Sequence, residues 1–472
     1  MKGSKYMDLI TAKKIKKEYT YWKWQINANE TFTEEMTIFT LTGKNVTYAL
    51  AALESGHLAH IYYGKRADDE DLSYLMRLNE NPFVPKVNER DMGTFMDTTP
   101  FEYPCHGIGD YREPAVSIMD EKGMTALDLR FVSYEIIDGK PELYQQLEDC
   151  TVRLPATFAA KDEAQTLAIT MKDAHSGLTA ILYYTVFADL NAITRSVKFI
   201  NGGDKAFKLT RALSACVDFD SDQYDFITLN GSWARERVME RCRLHHGKQS
   251  IDSVKGESSH QNNPFAALVS HNADEDMGEA YGFNLVYSGN FFAQAEVTQH
   301  KKTRFVMGIN HFDFSWKLEP AQEFTAPEVV MVYSDKGIGE MSRTFHDLYR
   351  QHIIRGEYKD KRRPILINNW EATYFNFNTE KLIDIAKQAS QLGIEMLVMD
   401  DGWFGHRDSD NSSLGDWFVY EKKIDGGLKH LVDEVNKLGM KFGIWFEPEM
   451  ISPDSDLYRE HPEWAIQIPG RE

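Results

Sequence analysis

The stretch that decides the fold reads LGIEMLVMDD and comprises residues Leu392–Asp401. In it a glycine that ends a helix leads into a short apolar run, and the run finishes in two carboxylates. The pattern returns as LGMKFGIWFE in Leu438–Glu447, and a third apolar run, Ile365–Trp370, also ends in polar and indole groups. Apolar strands of this kind, separated by helices, predict a parallel sheet built from βα units.

Two amphipathic helices are predicted between these strands. The first spans Thr379–Leu392, and the second is marked by apolar residues at helical spacing, namely Leu428, Leu431, Val432, Val435 and Leu438. We interpret residues 364–472 as the start of a (β/α)8 barrel of the TIM type. A complete barrel needs about 250 residues, whereas this part of the chain has room for about three βα units, so the barrel cannot close within it.

Up to about residue 335 the hydrophobic period is two, and turn residues interrupt it at short intervals. This predicts a large antiparallel β domain, residues 1–335, that folds as a sandwich. The clearest strand candidates are Leu129–Ile137, Thr179–Ala188, Thr194–Ile200, Tyr281–Ser288 and Thr303–Ile309. Residues 336–363 are predicted to form a helical linker, with Met341, Phe345, Leu348 and His352 on one helical face. The chain is therefore expected to be multidomain, β followed by α/β.

The amino-acid composition argues against some classes of binding partner. The 472 residues include 53 Lys and Arg against 72 Asp and Glu, a net charge of −19, which repels nucleic acid and anionic membranes. The four cysteines, Cys105, Cys150, Cys216 and Cys242, lack the spacing of a disulfide framework or a zinc site. With no signal-peptide run behind Met1, we expect a cytoplasmic protein that binds neither nucleic acid nor membrane.

Carboxylates and tryptophans recur where the three predicted strands end. Trp370 follows the first strand, Asp400 and Asp401 end the second, and Trp445 and Glu447 end the third. Parallel strands place function at their carboxyl ends. Carboxylates accept hydrogen bonds from sugar hydroxyls and indole faces cover the apolar side of a sugar ring, so this pattern indicates a carbohydrate site. From the residues alone, Asp401 and Glu447 could also be the general acid and base of a glycosidase.

Other kinds of site have little support. The acidic run Asp218–Asp225 resembles a calcium loop but has Gln223 where such a loop needs glycine. No phosphate-binding glycine loop, nucleophile elbow or zinc-protease motif occurs. We expect no metal and no cofactor.

The strand-end motifs resemble those of the α-galactosidases of glycoside hydrolase family 36. The similarity is carried by Asn368–Tyr374, Asp400–Phe404 and Gly443–Met450, and it extends to Leu229–Arg237 and Gly256–Phe265 in the β domain. It covers essentially the whole chain after the first ~20 residues. It implies an N-terminal antiparallel β-supersandwich, a (β/α)8 barrel and a small C-terminal β domain, assembled as a homotetramer.

The resemblance also implies an activity and residue roles. The expected reaction is retaining hydrolysis of terminal α-1,6-linked galactose from oligosaccharides of the melibiose and raffinose type, without a cofactor. By motif, Asp400 and Asp401 would bind galactose hydroxyls, and Trp370 and Trp445 would shape the sugar pocket. These four residues are then substrate-binding groups and not the catalytic pair.

One departure from the family is large. The Lys-Trp-Asp-Met-Asn motif that carries the family's nucleophile does not occur in this sequence. We therefore expect no catalytic nucleophile or acid/base in this chain, place both beyond Glu472, and predict a truncated, inactive chain. The alternatives are an α-N-acetylgalactosaminidase, a galactosyl-transferring relative, or a non-catalytic fragment that binds sugar or serves in assembly.

Overall fold

A computed structural model describes residues 8–23, 28–68, 71–76, 95–147 and 149–471. The chain divides into two compact units, Met1–Ile354 and Arg355–Glu472. Each unit is described by itself below.

The first unit is built almost entirely of strands. In chain order they are β1 Ile10–Lys23, β2 Ala28–Thr42, β3 Val46–Ala52, β4 Leu58–Lys65, β5 Val116–Met119, β6 Arg130–Asp138, β7 Tyr144–Gln146, β8 Thr151–Arg153, β9 Ala164–Lys172, β10 Leu178–Phe187, β11 Ala192–Asn201, β12 Phe207–Phe219, β13 Tyr224–Ser232, β14 Arg235–Arg243, β15 Gly247–Asp252, β16 Asn262–Ser270, β17 Ala280–Val286, β18 Phe291–Val297, β19 Thr303–Ile309, β20 Trp316–Leu318, β21 Glu323–Thr325 and β22 Glu328–Ser334. A short 3-10 helix covers Ser73–Leu75. All five strands predicted above are confirmed, with shifts of no more than a few residues at their ends.

These strands form antiparallel sheets. A ten-stranded sheet has the order β14-β13-β16-β17-β22-β11-β10-β9-β6, with β21 paired to β11. A six-stranded sheet has the order β15-β18-β19-β12-β20, with β5 paired to β12. Strands β1 to β4 form a third sheet and β7 pairs with β8. The prediction of a multi-sheet antiparallel β domain is confirmed.

One apolar core lies between these sheets. Phe283 on β17 stacks on Phe305 on β19 with 3.9 Å between ring centroids, which joins the ten-stranded sheet to the six-stranded sheet. Phe39 on β2 meets Tyr134 on β6 at 4.8 Å. The alternation of apolar and polar residues predicts this arrangement, because one face of each strand must be buried against another layer.

Helix α1, Gly337–His352, follows the last strand of this unit. Its buried face contains Met341, Phe345, Leu348 and His352, as the sequence predicted. Met341 and Phe345 pack against residues of the ten-stranded sheet. A Cβ atom added to Gly282 on β17 would lie 2.6 Å from the Phe345 ring, so any larger residue at this position would clash with the helix. These contacts group the helix with the β sheets in the first unit, whereas the sequence analysis assigned it to a linker over residues 336–363.

The second unit alternates short strands and helices. Its strands are β23 Leu366–Asn368, β24 Met396–Met399 and β25 Lys441–Ile444, and its helices are α2 Trp370–Thr373, α3 Thr379–Gln391, α4 Gly427–Lys437 and α5 Asp456–Glu460, followed by a 3-10 turn at Pro462–Trp464. The strands pair in parallel in the order β23-β24-β25. The predicted βα units are confirmed.

The strands of this unit pack under its helices through one cluster. Leu382 and Ala386 of α3 and Leu431 and Val435 of α4 are fully buried with Leu397 of β24. Asn378 begins α3 by accepting a hydrogen bond from the backbone N–H of Lys381 at 2.9 Å. This cap and the apolar stripe explain why the segment folds as a helix against the sheet.

Candidate functional site at the strand ends

Parallel pairing brings the polar ends of the three strands to one edge. Leu397 aligns with Ile367 on one side and Phe442 on the other. The register therefore places Asn368, Asp400 and Trp445 at the same end of the sheet. This is the edge at which parallel α/β proteins hold their ligands.

Asp400 is held by the neighbouring strand end. The side-chain amide of Asn368 donates a 2.5 Å hydrogen bond to Asp400 Oδ2, and the backbone N–H of Asp400 donates to Asn369 Oδ1 at 2.9 Å. Asn368 Oδ1 accepts from the backbone N–H of Trp370 at 2.7 Å, and the N–H of Asp401 donates to Asp400 Oδ1 at 2.7 Å. Asp400 is only partly buried. Its carboxylate is thus fixed in direction while still reaching solvent.

Asp401 has a different environment from its neighbour. Its side chain is 8 % exposed, and Arg407 donates from Nε to Oδ1 at 2.6 Å and from Nη2 to Oδ2 at 2.8 Å. Arg407 also donates to the carbonyl of Ser412 at 2.7 Å. Since a carboxylate offers about four lone-pair directions, the bidentate pair fixes Asp401 and leaves acceptor capacity unused.

A second cation lies behind this pair. Lys423 donates to the carbonyl of Arg407 at 2.9 Å and pairs with Asp408 at 2.9 Å. Its Nζ lies 5.7 Å from the centre of the Phe375 ring, and the Arg407 guanidinium carbon lies 5.8 Å from the same ring. These contacts hold the loop after β24 in one conformation.

Each of the two predicted tryptophans contacts an aromatic ring that lies near Arg407. Trp370 meets Phe375 edge to face at 5.1 Å, and Trp445 stacks with Phe404 at 6.4 Å. The Arg407 guanidinium carbon lies 5.8 Å from the centre of the Phe375 ring and 5.7 Å from that of the Phe404 ring. Among the hydrogen bonds of the described residues, none joins the side chain of either tryptophan to Asp400 or Asp401. The predicted residues are therefore joined through Arg407, Phe375 and Phe404.

Glu447 lies in the same electrostatic environment. Partial burial and repulsion from Glu449 raise its pKa, Asp401 adds to the increase, and Arg407 opposes it. Glu447 is thus a carboxyl group poised near the Asp401–Arg407 pair, which fits a ligand that offers hydrogen bonds and no negative charge.

Sequence reasoning missed Asn368, Arg407 and Lys423 as parts of this site. The sequence did contain an indication for Arg407, because an arginine in the short loop after a strand that ends in carboxylates can pair with one of those carboxylates. Within the part of the chain that the structure describes, no group of three or more His, Cys, Asp or Glu side chains could hold a metal ion. Nor does any helix of that part have the length and apolarity needed to cross a membrane.

Two family models match consecutive parts of the chain and together cover most of its length. The glycosyl hydrolase family 36 N-terminal domain matches residues 56–319, and melibiase matches residues 323–472. The chain belongs to glycosyl hydrolase family 36. The family resemblance drawn from the strand-end motifs is confirmed.

Curated relatives agree with this assignment. The chain is 49 % identical over 434 residues to α-galactosidase AgaA of Geobacillus stearothermophilus, which covers 92 % of this chain and 58 % of the relative. It is 44 % identical over 442 residues to α-galactosidase Mel36A of Lactobacillus acidophilus, covering 93 % of this chain and 59 % of the relative. The chain therefore spans less than two thirds of the length of these relatives.

Solved structures of relatives share the fold. The crystal structure of AgaA from Geobacillus stearothermophilus has a TM-score of 0.88 at 49 % identity, covering 92 % of this chain and 60 % of that one. Variants of AgaA have been solved in complex with raffinose and with stachyose, also with a TM-score of 0.88.

Proposed function

We propose that this chain supplies the galactose-binding part of a retaining α-galactosidase that releases terminal α-1,6-linked galactose from melibiose- and raffinose-type oligosaccharides. The observation that carries the proposal is the fixed, partly exposed Asp400 carboxylate beside the Asp401–Arg407 pair. Family membership and relatives solved with raffinose and stachyose support the substrate class.

The geometry supports a role for each of these residues in the proposal. Asp400 accepts hydrogen bonds from galactose hydroxyls, because its carboxylate is fixed by Asn368 and still meets solvent. Asp401 accepts a further hydroxyl through the lone pairs that Arg407 leaves unused, and Arg407 acts as its positioning residue. Trp370 and Trp445 limit the pocket on either side and offer apolar faces to the ring.

The chemistry of the proposal needs two further carboxyl groups. In a retaining mechanism one carboxylate forms a covalent bond to the anomeric carbon while an acid protonates the leaving oxygen, and the acid's conjugate base then activates water. The proposal assigns neither role to Asp400, Asp401 or Glu447, and the family's nucleophile motif does not occur in this sequence. The 472-residue chain alone is then a sugar binder without hydrolytic activity.

The proposal extends to architecture and assembly. The sheet β23-β24-β25 supplies the first strands of a (β/α)8 barrel, and the exposed Leu366 on edge strand β23 favours an additional paired strand. We propose further that the β domain is the supersandwich of the family and that it mediates a homotetramer. The free thiols of all four cysteines are compatible with a cytoplasmic location.

Calorimetry tests the binding role. The chain should bind galactose and discriminate against glucose, which differs only at the fourth carbon. Asp400→Asn should weaken galactose binding about 10- to 100-fold, the loss expected for a hydrogen bond to a charged group. The matched control is Asp384→Asn on α3, whose carboxylate is exposed and pairs with Lys387. Equal affinity of the Asp400→Asn variant and the control variant for galactose would contradict the proposal.

A chimera tests the activity. The matching region of Geobacillus α-galactosidase AgaA is replaced by this chain, and hydrolysis of raffinose is measured. We expect activity in the chimera that Asp400→Asn reduces and Asp384→Asn does not, and none in the 472-residue chain by itself. Hydrolysis of an N-acetylgalactosaminide in preference to the galactoside would instead favour the alternative activity within the family.

A further inference from the structure

A cavity in the first unit is separate from the strand-end site and is lined by aromatic rings. It has a volume of about 280 Å³. Five Phe and Tyr rings border it, namely Tyr62 and Tyr63 on β4, Phe219 at the end of β12, Tyr224 at the start of β13 and Tyr281 on β17. Tyr281 lies 5.4 Å from Tyr63 and 4.9 Å from Phe219, and Tyr224 lies 5.9 Å from Tyr281, each edge to face. The rings form a continuous apolar wall.

Three tyrosines of this wall have unused hydroxyl groups. The Tyr63 hydroxyl is buried without a hydrogen-bond partner among the residues that the structure describes. The hydroxyls of Tyr224 and Tyr281 take part in none of the hydrogen bonds of the described residues, but unlike that of Tyr63 they are not among the fully buried polar atoms. Burial raises the pKa of Tyr224 and of Tyr281 above the ordinary value for tyrosine, so both hydroxyls remain protonated donors at neutral pH. A buried hydroxyl without a partner costs free energy unless a ligand or water satisfies it.

The other wall of the cavity is charged, but its charges are compensated. Arg304 donates to Asp218 at 2.7 and 2.9 Å and to Asp110 at 2.9 Å. Arg112 pairs with the same two carboxylates, at 2.8 Å to Asp110 and 3.3 Å to Asp218. Two cations thus face two anions in this cluster. A charged ligand would find no unpaired counter-ion there.

A second pair completes the charged wall. Lys302 lies 3.1 Å from Asp220. The three cations of the lining, Arg112, Arg304 and Lys302, are thus matched by Asp218 and Asp220 of the lining together with Asp110, which does not itself border the cavity. The cavity therefore combines an apolar aromatic wall, hydroxyl donors without partners and polar groups with no net charge. This combination suits a neutral polyol that has one apolar face.

We propose that this cavity is a second binding site, for a single neutral pyranose ring, within the β unit. The aromatic wall covers the apolar face of the ring, and the hydroxyls of Tyr224 and Tyr281 bond to its oxygen atoms. The volume lies just below the range of about 300–1,000 Å³ typical of sites for drug-sized ligands, which limits the occupant to about one ring. This inference concerns a site other than the strand ends and does not depend on the proposed hydrolytic activity.

The test uses the 472-residue chain carrying Asp400→Asn, so that binding at the strand ends is weakened. Calorimetry is performed with D-galactose and D-glucose, and with the cationic analogue glucosamine. We expect a neutral pyranose to bind and glucosamine to bind at least tenfold more weakly, because its charge would be buried without a counter-ion. Tyr224→Phe and Tyr281→Phe should each weaken pyranose binding about fivefold, and the double variant should weaken it more than either single variant.

The control variant is Tyr287→Phe, which removes a hydroxyl from a tyrosine that is 37 % exposed and does not border the cavity. It should leave binding unchanged. Circular dichroism of each variant reports folding, and phenylalanine keeps every ring of the wall in place. Absence of pyranose binding in the Asp400→Asn chain, tighter binding of glucosamine, or equal affinity of the double variant and the control overturns the proposal.

Discussion

Arg407→Met removes the cation from a buried ion pair and keeps most of the aliphatic volume of the side chain. Arg407 and Asp401 have side chains that are 3 % and 8 % exposed, and two short hydrogen bonds join them. The substitution leaves the Asp401 carboxylate buried without its partner. We expect the second unit to lose about 3–5 kcal/mol of unfolding free energy, the cost typical of breaking a buried pair from one side.

The loss is best read by hydrogen exchange, because the two units need not unfold together. Mass spectrometry follows the slowest-exchanging amides of α3 and α4, whose buried faces form the core of the second unit. A loss of 3–5 kcal/mol accelerates their exchange by about two to nearly four orders of magnitude. The double variant Asp401→Leu with Arg407→Met should be more stable than Arg407→Met alone, since no charge is then left buried.

Arg459→Met is the matched control. Arg459 also contacts two carboxylates, Asp454 at 3.0 Å and Asp456 at 2.5 Å, but its side chain is 50 % exposed. Exposed pairs contribute about 1 kcal/mol or less, so exchange in this variant should accelerate by about fivefold at most. Similar exchange rates in the Arg407 and Arg459 variants would refute the reasoning that burial makes the Asp401–Arg407 pair essential.

Two further outcomes are expected. Glu449→Gln should lower the pKa of Glu447, because the negative charge of Glu449 favours the protonated form of Glu447 and the substitution removes that charge. Carbon-13 NMR of the Glu447 carboxyl group measures the shift. An unchanged pKa would mean that repulsion from Glu449 does not contribute to it. Phe283→Ala should lower the unfolding free energy of the first unit by about 3–5 kcal/mol, measured by urea unfolding, because the ring stacks on Phe305 in the core. Phe312→Ala is the control, since its side chain is 61 % exposed, and it should change the unfolding free energy by about 0.5 kcal/mol or less. Equal losses would contradict the core assignment.

The strands could be predicted from the sequence because their signal is local. Thr303–Ile309 was placed to the residue, and α3 ended within one residue of its predicted end. Alternation of apolar residues within one segment is enough for this, since each strand must bury one face whatever its partner is. Helix α1 shows the limit: its apolar face was predicted, but not the β sheet on which that face packs.

The contacts of the candidate site could not be predicted from the sequence, because they join residues that are distant in sequence and close in space. The sequence predicted that Asp400 and Asp401 lie at the end of a strand, but it did not predict their different environments. Asp400 receives a hydrogen bond from Asn368 because β23 pairs with β24 in one register, and Asp401 meets Arg407 because the following loop folds back. Consecutive residues on a strand face opposite ways, and only the neighbours present on each side decide what they contact.

For this protein, the amino-acid sequence alone predicted the change from an antiparallel β domain to βα units, five strands of the β domain, the apolar helix faces, the carboxylates at the strand ends and the family resemblance. Tertiary structure alone decided which of those carboxylates is paired, which tryptophan meets which ring, and that tyrosines from three separate strands border one cavity. The physical reason is that burial and strand periodicity are properties of a segment, whereas pairing, register and cavities arise only when segments distant in sequence come within a few ångströms.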